Sequence, residues 1–181
     1  MKKKVLFIEG TNDRSNGTLR QGFHKLLRQE LNNVMPTIIM GNGKNQAISK
    51  FKKNKLADRN YLLIDLDDLE SQKEKHLLDL KLKDQENIVF FMIQEMEAWF
   101  ISQPSILDKY YNSKISSRLP IKDAKQIEKP ADVLQELTKN TQKGKYHKVR
   151  HGTALLESLD AKLLKESFEE FNNLLLKISN D

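Results

Sequence analysis

Four short apolar runs alternate with helix-like stretches up to Glu95, and this alternation constrains the fold more than any other feature of the chain. The runs are Val5–Ile8, Thr37–Met40, Tyr61–Ile64 and Ile88–Ile93. Because they are apolar on both faces, they are typical of strands in a buried parallel sheet. The order β-α-β-α-β-α-β predicts right-handed crossovers, with helices on both faces of the sheet.

The stretches between the runs carry apolar residues at helical spacing, clearly in the first, weakly in the second and over a short span in the third. These residues are Leu19, Phe23, Leu26, Leu27 and Leu31, then Ala47, Ile48 and Phe51, then Leu77, Leu78, Leu80 and Leu82. The sequence therefore predicts a three-layer α/β/α core with a mainly parallel central sheet of about four strands.

Beyond Glu95 the chain lacks strand patterns and is predicted to be helical. Helical spacing is found in Met96–Ile101, Ala131–Leu137, Gly152–Leu159 and Ala161–Ile178, whereas Asn112–Lys129 has no periodicity and is predicted to be a long loop. We expect an α/β core over residues 1–110 and a helical C-terminal extension over residues 111–181, packed together as one compact domain.

The composition excludes several classes of protein. The chain has 181 residues, which suits one domain, and it has no cysteine, so disulfides, thiolate metal sites and cysteine nucleophiles are excluded. The apolar run after Met-Lys-Lys-Lys ends at Glu9, too early for a signal peptide, and no stretch approaches the roughly 18 apolar residues of a membrane span. We expect a cytoplasmic protein without membrane contact, whose metal ligands are carboxylates or histidines.

Two segments, residues 44–55 and residues 139–151, concentrate positive charge without any acid, in a chain with a formal net charge of +6. They are candidate surfaces for the phosphates of nucleic acid, although a solvated lysine-rich face is the alternative. The turn Gly41-Asn42-Gly43-Lys44 also places a lysine beside backbone N–H groups, and His147 is a candidate acid or metal ligand. The candidate nucleic-acid-binding residues are Lys44, Lys50, Lys52, Lys53, Lys145, His147, Lys148 and Arg150.

Carboxylates follow two of the predicted strands. Glu9 ends the first strand just before Gly10, and Asp65 and Asp67 end the third. Ligands of open α/β sheets bind beyond the carboxyl ends of the strands. If the chain stays extended, Asp65 and Asp67 face one side, and three carboxylates converge if the first and third strands are neighbours.

Crowded carboxylates repel unless a cation or protons neutralise them, and oxygen-rich sites suit Mg²⁺ or Mn²⁺. The sequence therefore indicates a site for a hard cation, in which Glu9 is also a candidate proton shuttle. The alternative is that Asp65 and Asp67 are turn formers or helix N-caps, which is the preferred interpretation for Asp68. Glu95 and Glu97 end the fourth run; they share a side if the chain is extended there and diverge if a helix has begun.

The motifs Val5-Leu6-Phe7-Ile8-Glu9-Gly10 and Leu62-Leu63-Ile64-Asp65-Leu66-Asp67 resemble the strand-terminal Glu and Asp-x-Asp of Toprim domains, found in topoisomerases, bacterial primases and OLD-type nucleases. Together with Gln94-Glu95-Met96-Glu97-Ala98-Trp99-Phe100, Glu128-Lys129-Pro130-Ala131-Asp132-Val133-Leu134 and Lys145-Tyr146-His147-Lys148, they resemble the DUF4276 family of small Toprim-like proteins. This resemblance covers most of the chain.

The resemblance implies a Toprim-like Rossmannoid fold, with Glu9, Asp65 and Asp67 at the metal site and Glu97 as a further acidic residue. It also implies an AAA/ABC-type ATPase partner in a phage-defence or restriction system. Many relatives carry a second acid in the turn after the first strand, where this chain has Thr11-Asn12-Asp13, so Asp13 is either a shifted substitute or has no role.

The leading hypothesis is a Mg²⁺-dependent nuclease that hydrolyses phosphodiester bonds of DNA or RNA, with Glu9, Asp65, Asp67 and Glu97 as catalytic residues. One alternative is a non-catalytic subunit that binds nucleic acid or an ATPase and has a vestigial acidic site. Another is nucleotidyl transfer, which the same metal site can serve. A topoisomerase is disfavoured, because the chain is too short to hold strand-passage domains.

Overall fold

A four-stranded, fully parallel sheet forms the centre of the protein in the computed structural model, which describes residues 2–11 and 19–181. The strands are β1 (Lys4–Ile8), β2 (Thr37–Met40), β3 (Arg59–Asp65) and β4 (Val89–Met92), in the order β2-β1-β3-β4. Each overlaps a predicted apolar run, most of whose side chains are buried, and the parallel pairing of the four strands confirms the predicted sheet.

The register brings the carboxyl ends of the strands to one edge. Ile8 pairs with Met40 on one side and with Leu63 on the other, and Asp65 pairs with Met92. Since β1 and β3 are neighbours, the residues that follow Ile8 and those that end β3 must lie close together. This is the condition that the predicted acidic site required.

Helix α1 (Leu19–Leu31) leads from β1 to β2, and helix α2 (Lys44–Lys53) leads back from β2 to β3. Because these crossovers run in opposite directions along the sheet, right-handed connections place the two helices on opposite faces. Phe51 of α2 packs on Phe7 of β1 with ring centroids 6.2 Å apart. Helix α3 (Lys73–Asp79) precedes β4. The fold is the predicted Rossmannoid three-layer α/β/α arrangement.

The rest of the chain is helical, as predicted, but its boundaries differ from the expectation. The helices are α4 (Glu97–Ile101), α5 (Pro104–Tyr111), α6 (Pro130–Thr138), α7 (Lys148–Ser158), α8 (Ala161–Ser167) and α9 (Glu169–Asn180). Short 3₁₀ segments lie at Asn32–Val34, Glu70–Gln72, Lys83–Ile88, Ser116–Arg118 and Ala124–Gln126. The predicted loop after Asn112 therefore contains two 3₁₀ turns, and α5 was not predicted.

The single helix predicted over Ala161–Ile178 is wrong, because the chain breaks at Phe168. This residue has extended angles (φ −125°, ψ 104°), and its buried ring packs on Trp99 at a centroid distance of 6.5 Å. The break turns α9 so that Phe171 also reaches Trp99, at 5.2 Å. Trp99 is thus a core anchor. Among the described residues, no helix is long and apolar enough to cross a membrane.

A buried carboxylate protects the outer edge of β4. Glu170 of α9 accepts a hydrogen bond from the Phe91 N–H at 3.0 Å and one from the Lys73 ammonium. Edge strands expose unpaired backbone groups that invite pairing with other chains. Glu170 satisfies one of these groups from a side chain that is only 4% exposed.

Glu170→Ala is expected to lower the free energy of unfolding by about 1–2 kcal/mol, because it leaves the Phe91 N–H buried without an acceptor. Glu170→Gln keeps an oxygen acceptor and should lose less. Urea denaturation of both variants beside Glu169→Ala, whose exposed side chain is the adjacent control, measures this contribution. Equal stability of Glu170→Ala and Glu169→Ala would contradict it.

Candidate active site at the carboxyl ends of the strands

Glu9 and Asp65 lie side by side where β1 and β3 end. The Glu9 N–H donates to the carbonyl of Leu63 at 2.9 Å, which extends the β1–β3 ladder by one residue. The Glu9 Oε2 atom then accepts a hydrogen bond from the Asp65 N–H at 3.0 Å. The predicted convergence of these two carboxylates therefore follows from the strand register.

Asp65 is a buried carboxylate whose two oxygens have different partners. Its Oδ1 atom accepts from the Met96 N–H at 2.7 Å, and its Oδ2 atom accepts from the Lys148 ammonium at 3.0 Å. The side chain is 6% exposed. Asp65 therefore links the end of β3 to the segment that precedes α4 and to the start of α7.

Lys148 supplies positive charge within this acidic group. Its ammonium lies 3.0 Å from the Asp65 carboxylate and 3.7 Å from Oε2 of Glu97. Although burial opposes the charged form, Asp65 and Glu97 raise the pKa of Lys148 above its ordinary value, so the ammonium stays protonated. Lys148 was predicted to contact nucleic acid; the structure places it among the carboxylates.

Glu97 is the most deeply buried acid of the group, at 1% exposure. Its Oε1 atom accepts a hydrogen bond from the Tyr146 hydroxyl at 2.7 Å, whereas Oε2 has no hydrogen-bond partner among the described residues. Burial raises the pKa of Glu97, which the Lys148 ammonium counteracts. A buried oxygen without a hydrogen bond is uncommon in proteins and marks a place where a further donor or cation is favourable.

Asp67 diverges from Asp65, because the backbone does not remain extended. Asp67 has a left-handed conformation (φ 60°) and faces Gln94, which is also left-handed (φ 58°). The Asp67 N–H donates to the Gln94 carbonyl at 2.6 Å, and the Gln94 N–H donates to the Asp68 carbonyl at 3.2 Å. The Asp67 side chain is 54% exposed and pairs with Lys44. Such conformations are unfavourable for residues other than glycine and concentrate at functional sites.

The remaining acids of this edge have local partners. Glu95 accepts from the Ala131 N–H at 3.0 Å and so stabilises the first turn of α6. Asp68 accepts from the Leu69 N–H at 2.8 Å and lies 3.3 Å from His76, in the turn-forming role preferred for it. Because α4 begins at Glu97, Glu95 and Glu97 point in different directions. Asp13 lies outside the described residues.

The electrostatics of the site are those of crowded acids. Burial, and then the neighbouring Asp65 carboxylate, raise the pKa of Glu9 to about 7, although Lys44 and Lys148 act in the opposite direction. A carboxyl group with a pKa near neutrality exchanges protons readily at physiological pH. Strongly shifted pKa values of this kind are typical of functional sites.

The side chains of this site are of the type that binds a hard cation, but they are not arranged as a set of metal ligands. Within residues 2–11 and 19–181, no three Asp, Glu or His side chains are grouped so that they hold a metal ion. The donors near one another are nevertheless carboxylate oxygens, one of them without a hydrogen bond, which is the donor set that Mg²⁺ and Mn²⁺ prefer. Lys148 and Lys44 provide the neutralising charge in this conformation.

The other predicted nucleic-acid-binding residues fall into three groups. Lys50 donates to the carbonyls of Met40 and Gly41, and Lys52 donates to those of Leu80 and Lys81, so both stabilise loops. Four side chains are exposed and face solvent: Lys53, Lys145, His147 and Arg150. Lys44 pairs with Asp67 at the edge of the acidic site.

Tyr146 is a site residue that the sequence did not reveal. It is 3% exposed and positions Glu97, and its ring lies 6.1 Å from that of His151, which is itself buried. The His151 Nδ1 atom accepts from the His147 N–H at 3.1 Å, so this imidazole belongs to the packing behind the site. The available signal was its place in the motif Lys145-Tyr146-His147-Lys148, which assigned no role to the tyrosine.

Comparisons with known proteins give one result. No curated protein and no solved structure showed significant similarity to the chain. The chain matches DUF4276, described as a domain of unknown function, over residues 9–179. This range begins at Glu9 and includes Asp65, Glu97 and Lys148, so the whole acidic site lies within the matched region. The chain belongs to the DUF4276 family.

Proposed function

We propose that this protein is a Mg²⁺-dependent nuclease that hydrolyses phosphodiester bonds of DNA or RNA at the carboxyl edge of its sheet, in the manner of a Toprim domain. The observation that supports this proposal best is that Asp65 and Glu97 both lie against the ammonium group of Lys148, while Glu9 accepts a hydrogen bond from the Asp65 N–H. Glu9 follows β1, Asp65 ends β3, and Glu97 and Lys148 begin α4 and α7, so several elements of the fold position the group.

Mg²⁺ would be held by Glu9 and Asp65, with Asp67 or Glu97 completing the set, and would offset phosphate charge and lower the pKa of a bound water. The pKa of Glu9 is about 7 without a bound cation, and a cation held beside it would lower this pKa, so Glu9 would then serve as an ionised ligand. Lys44, at the rim of this edge, provides positive charge for the reacting phosphate. Exposed Lys145 and Arg150 hold the nucleic-acid backbone close to this edge.

The ATPase partner and the role in phage defence are proposals that rest on the resemblance to Toprim-like proteins. In the isolated chain, Lys44 and Lys148 pair with Asp67 and Asp65. An ATPase that activates the nuclease would act by releasing these ion pairs. Co-purification with the product of a neighbouring ATPase gene, and cleavage that depends on ATP, are the results expected for such a complex.

The experiment that tests the nuclease proposal is cleavage of labelled single- and double-stranded DNA and RNA by the purified chain. Cleavage is expected with Mg²⁺ or Mn²⁺ and should stop with EDTA. Labelled nucleotides supplied alongside distinguish hydrolysis from nucleotidyl transfer, which would produce longer strands.

A second candidate function is a non-catalytic subunit that binds nucleic acid or an ATPase. The observation that favours it is the geometry of the site, where lysines neutralise the acids and no three metal-binding side chains of the described residues are grouped. Under this alternative, Asp65→Ala together with Asp67→Ala would leave nucleic-acid binding unchanged, and no condition would produce cleavage.

A further inference from the structure

We infer that Lys148 is a built-in counter-ion of the acidic site, and that a divalent cation must displace its ammonium group from Asp65 in order to bind. This inference rests on the proposed function, because it specifies how the proposed metal site is regulated. Displacement of Lys148 would explain why the carboxylate oxygens suit Mg²⁺ although, among the described residues, no three metal ligands are grouped together.

The contacts of Lys148 carry the inference. Its Nζ atom lies 3.0 Å from Oδ2 of Asp65. The other carboxylate oxygen of Asp65, Oδ1, accepts a hydrogen bond from the Met96 N–H at 2.7 Å. The same Nζ atom lies 3.7 Å from Oε2 of Glu97, the buried oxygen that lacks a hydrogen bond. The ammonium therefore lies against the carboxylate oxygen of each residue that accepts no other hydrogen bond.

Two cations cannot share these oxygens at low cost. A divalent ion bound to Oδ2 of Asp65 would lie within a few ångströms of the ammonium, in a largely buried environment where charges of the same sign repel strongly. Because the Lys148 side chain is still 33% exposed, it has a route into solvent along which it can withdraw. Asp67 has an equivalent partner in Lys44.

Mass action then sets the state of the site. Without divalent ions, Lys148 compensates the buried acids and keeps the fold intact. When divalent ions are present, a bound ion takes over this role. Its apparent affinity equals the affinity of the open site multiplied by the fraction of molecules in which Lys148 has left the site. The site thus binds Mg²⁺ more weakly than its carboxylates alone would.

Removing the ammonium tests this competition directly. Lys148→Met keeps most of the length of the side chain and deletes its charge, so it should bind Mn²⁺ at least about tenfold more tightly than the wild type in titrations of the metal-free protein followed by electron paramagnetic resonance. Lys162→Met removes an exposed lysine from α8 and serves as the charge-matched control, with unchanged affinity. Affinity for Mn²⁺ that is equal or weaker in Lys148→Met, or no binding by either protein, overturns the inference.

A measurement on the wild type covers the case in which Lys148→Met does not fold. Acetylation of lysines by an amine-reactive reagent, followed by mass spectrometry, reports how freely each ammonium is available. Saturating Mg²⁺ should raise the labelling rate of Lys148 severalfold and leave that of Lys162 unchanged. Unchanged labelling of Lys148 at a Mg²⁺ concentration that saturates the protein overturns the inference.

The outcomes separate this inference from the proposed function. Divalent-dependent cleavage by the wild type, with no gain of Mn²⁺ affinity in Lys148→Met, supports the nuclease and overturns the competition. A tenfold gain of affinity without cleavage of any nucleic acid supports the competition and identifies the edge as a cation site that is not a nuclease centre.

Discussion

Asp65→Asn is expected to reduce divalent-dependent cleavage of nucleic acid by at least about a thousandfold, because it removes the charge of the most central metal-binding group of the proposed site. The asparagine oxygen can still accept the hydrogen bond from the Met96 N–H, which is 2.7 Å long in the wild type. The fold should therefore persist. Cleavage rates and thermal unfolding, measured on the same preparation, separate the two effects.

Asp84→Asn is the matched control for this substitution, since Asp84 is exposed and lies in the 3₁₀ segment just before β4, at the opposite edge of the sheet from the acidic site. Its cleavage rate should equal that of the wild type. If Asp65→Asn retained full activity while remaining folded, Asp65 would not be part of the reaction, and the chemistry would have to lie elsewhere on the molecule.

Glu9→Gln is expected to stabilise the metal-free protein by about 2–3 kcal/mol at pH 8 and to have little effect at pH 4. The carboxyl group of Glu9 has a pKa of about 7 in the folded protein and an ordinary value of 4.5, so the folded state binds this proton more tightly than the unfolded chain. Stability from this group is complete below pH 4.5 and is lost as the pH rises through 7. Glutamine is neutral throughout and retains an acceptor for the Asp65 N–H.

Urea denaturation between pH 4 and pH 8 in the presence of EDTA measures this difference. Glu97 and Glu95 also have raised pKa values, but they are present in both proteins, so the difference between the two curves isolates Glu9. Glu166→Gln, at an exposed position of α8, is the control for loss of one negative charge. If the free energy of unfolding of the wild type and of Glu9→Gln changed with pH in the same way, burial would not raise the pKa of Glu9 in the folded protein.

The expected effects of Asp65→Asn and Glu9→Gln share one physical origin. Acids held together out of water destabilise the fold, and a protein retains them where they have a use. A bound cation would remove this penalty, so divalent ions should stabilise the wild type more than Glu9→Gln.

The sheet and the pairing of Glu9 with Asp65 were predictable because they depend on local patterns. Apolar runs identified the strands, and strand ends in a parallel sheet share one edge, so the residue after Ile8 had to meet the end of β3. The position of Asp67 was not predictable, because nothing in the sequence indicates that a residue other than glycine adopts a left-handed conformation there. That conformation depends on two hydrogen bonds, one from the Asp67 N–H to the Gln94 carbonyl and one from the Gln94 N–H to the Asp68 carbonyl.

The role of Lys148 was hidden for a different reason. It follows Asp65 by 83 positions and reaches the site only because α7 packs against α1, an arrangement set by tertiary contacts. Within the sequence it is one lysine in a basic segment, where exposure is the usual outcome. The break at Phe168 was equally invisible, since the apolar spacing continues across it and only packing on Trp99 ends α8.

A crystal structure of the protein soaked in Mn²⁺, with the ion located by its anomalous scattering, tests most directly whether the carboxyl edge of the sheet is a metal site. We expect a peak at this edge, coordinated by Glu9 and Asp65, with the Lys148 ammonium moved away from Asp65. At a saturating concentration of Mn²⁺, no peak at this edge, or a peak bound only by other residues, would show that the carboxylates do not form the proposed metal site.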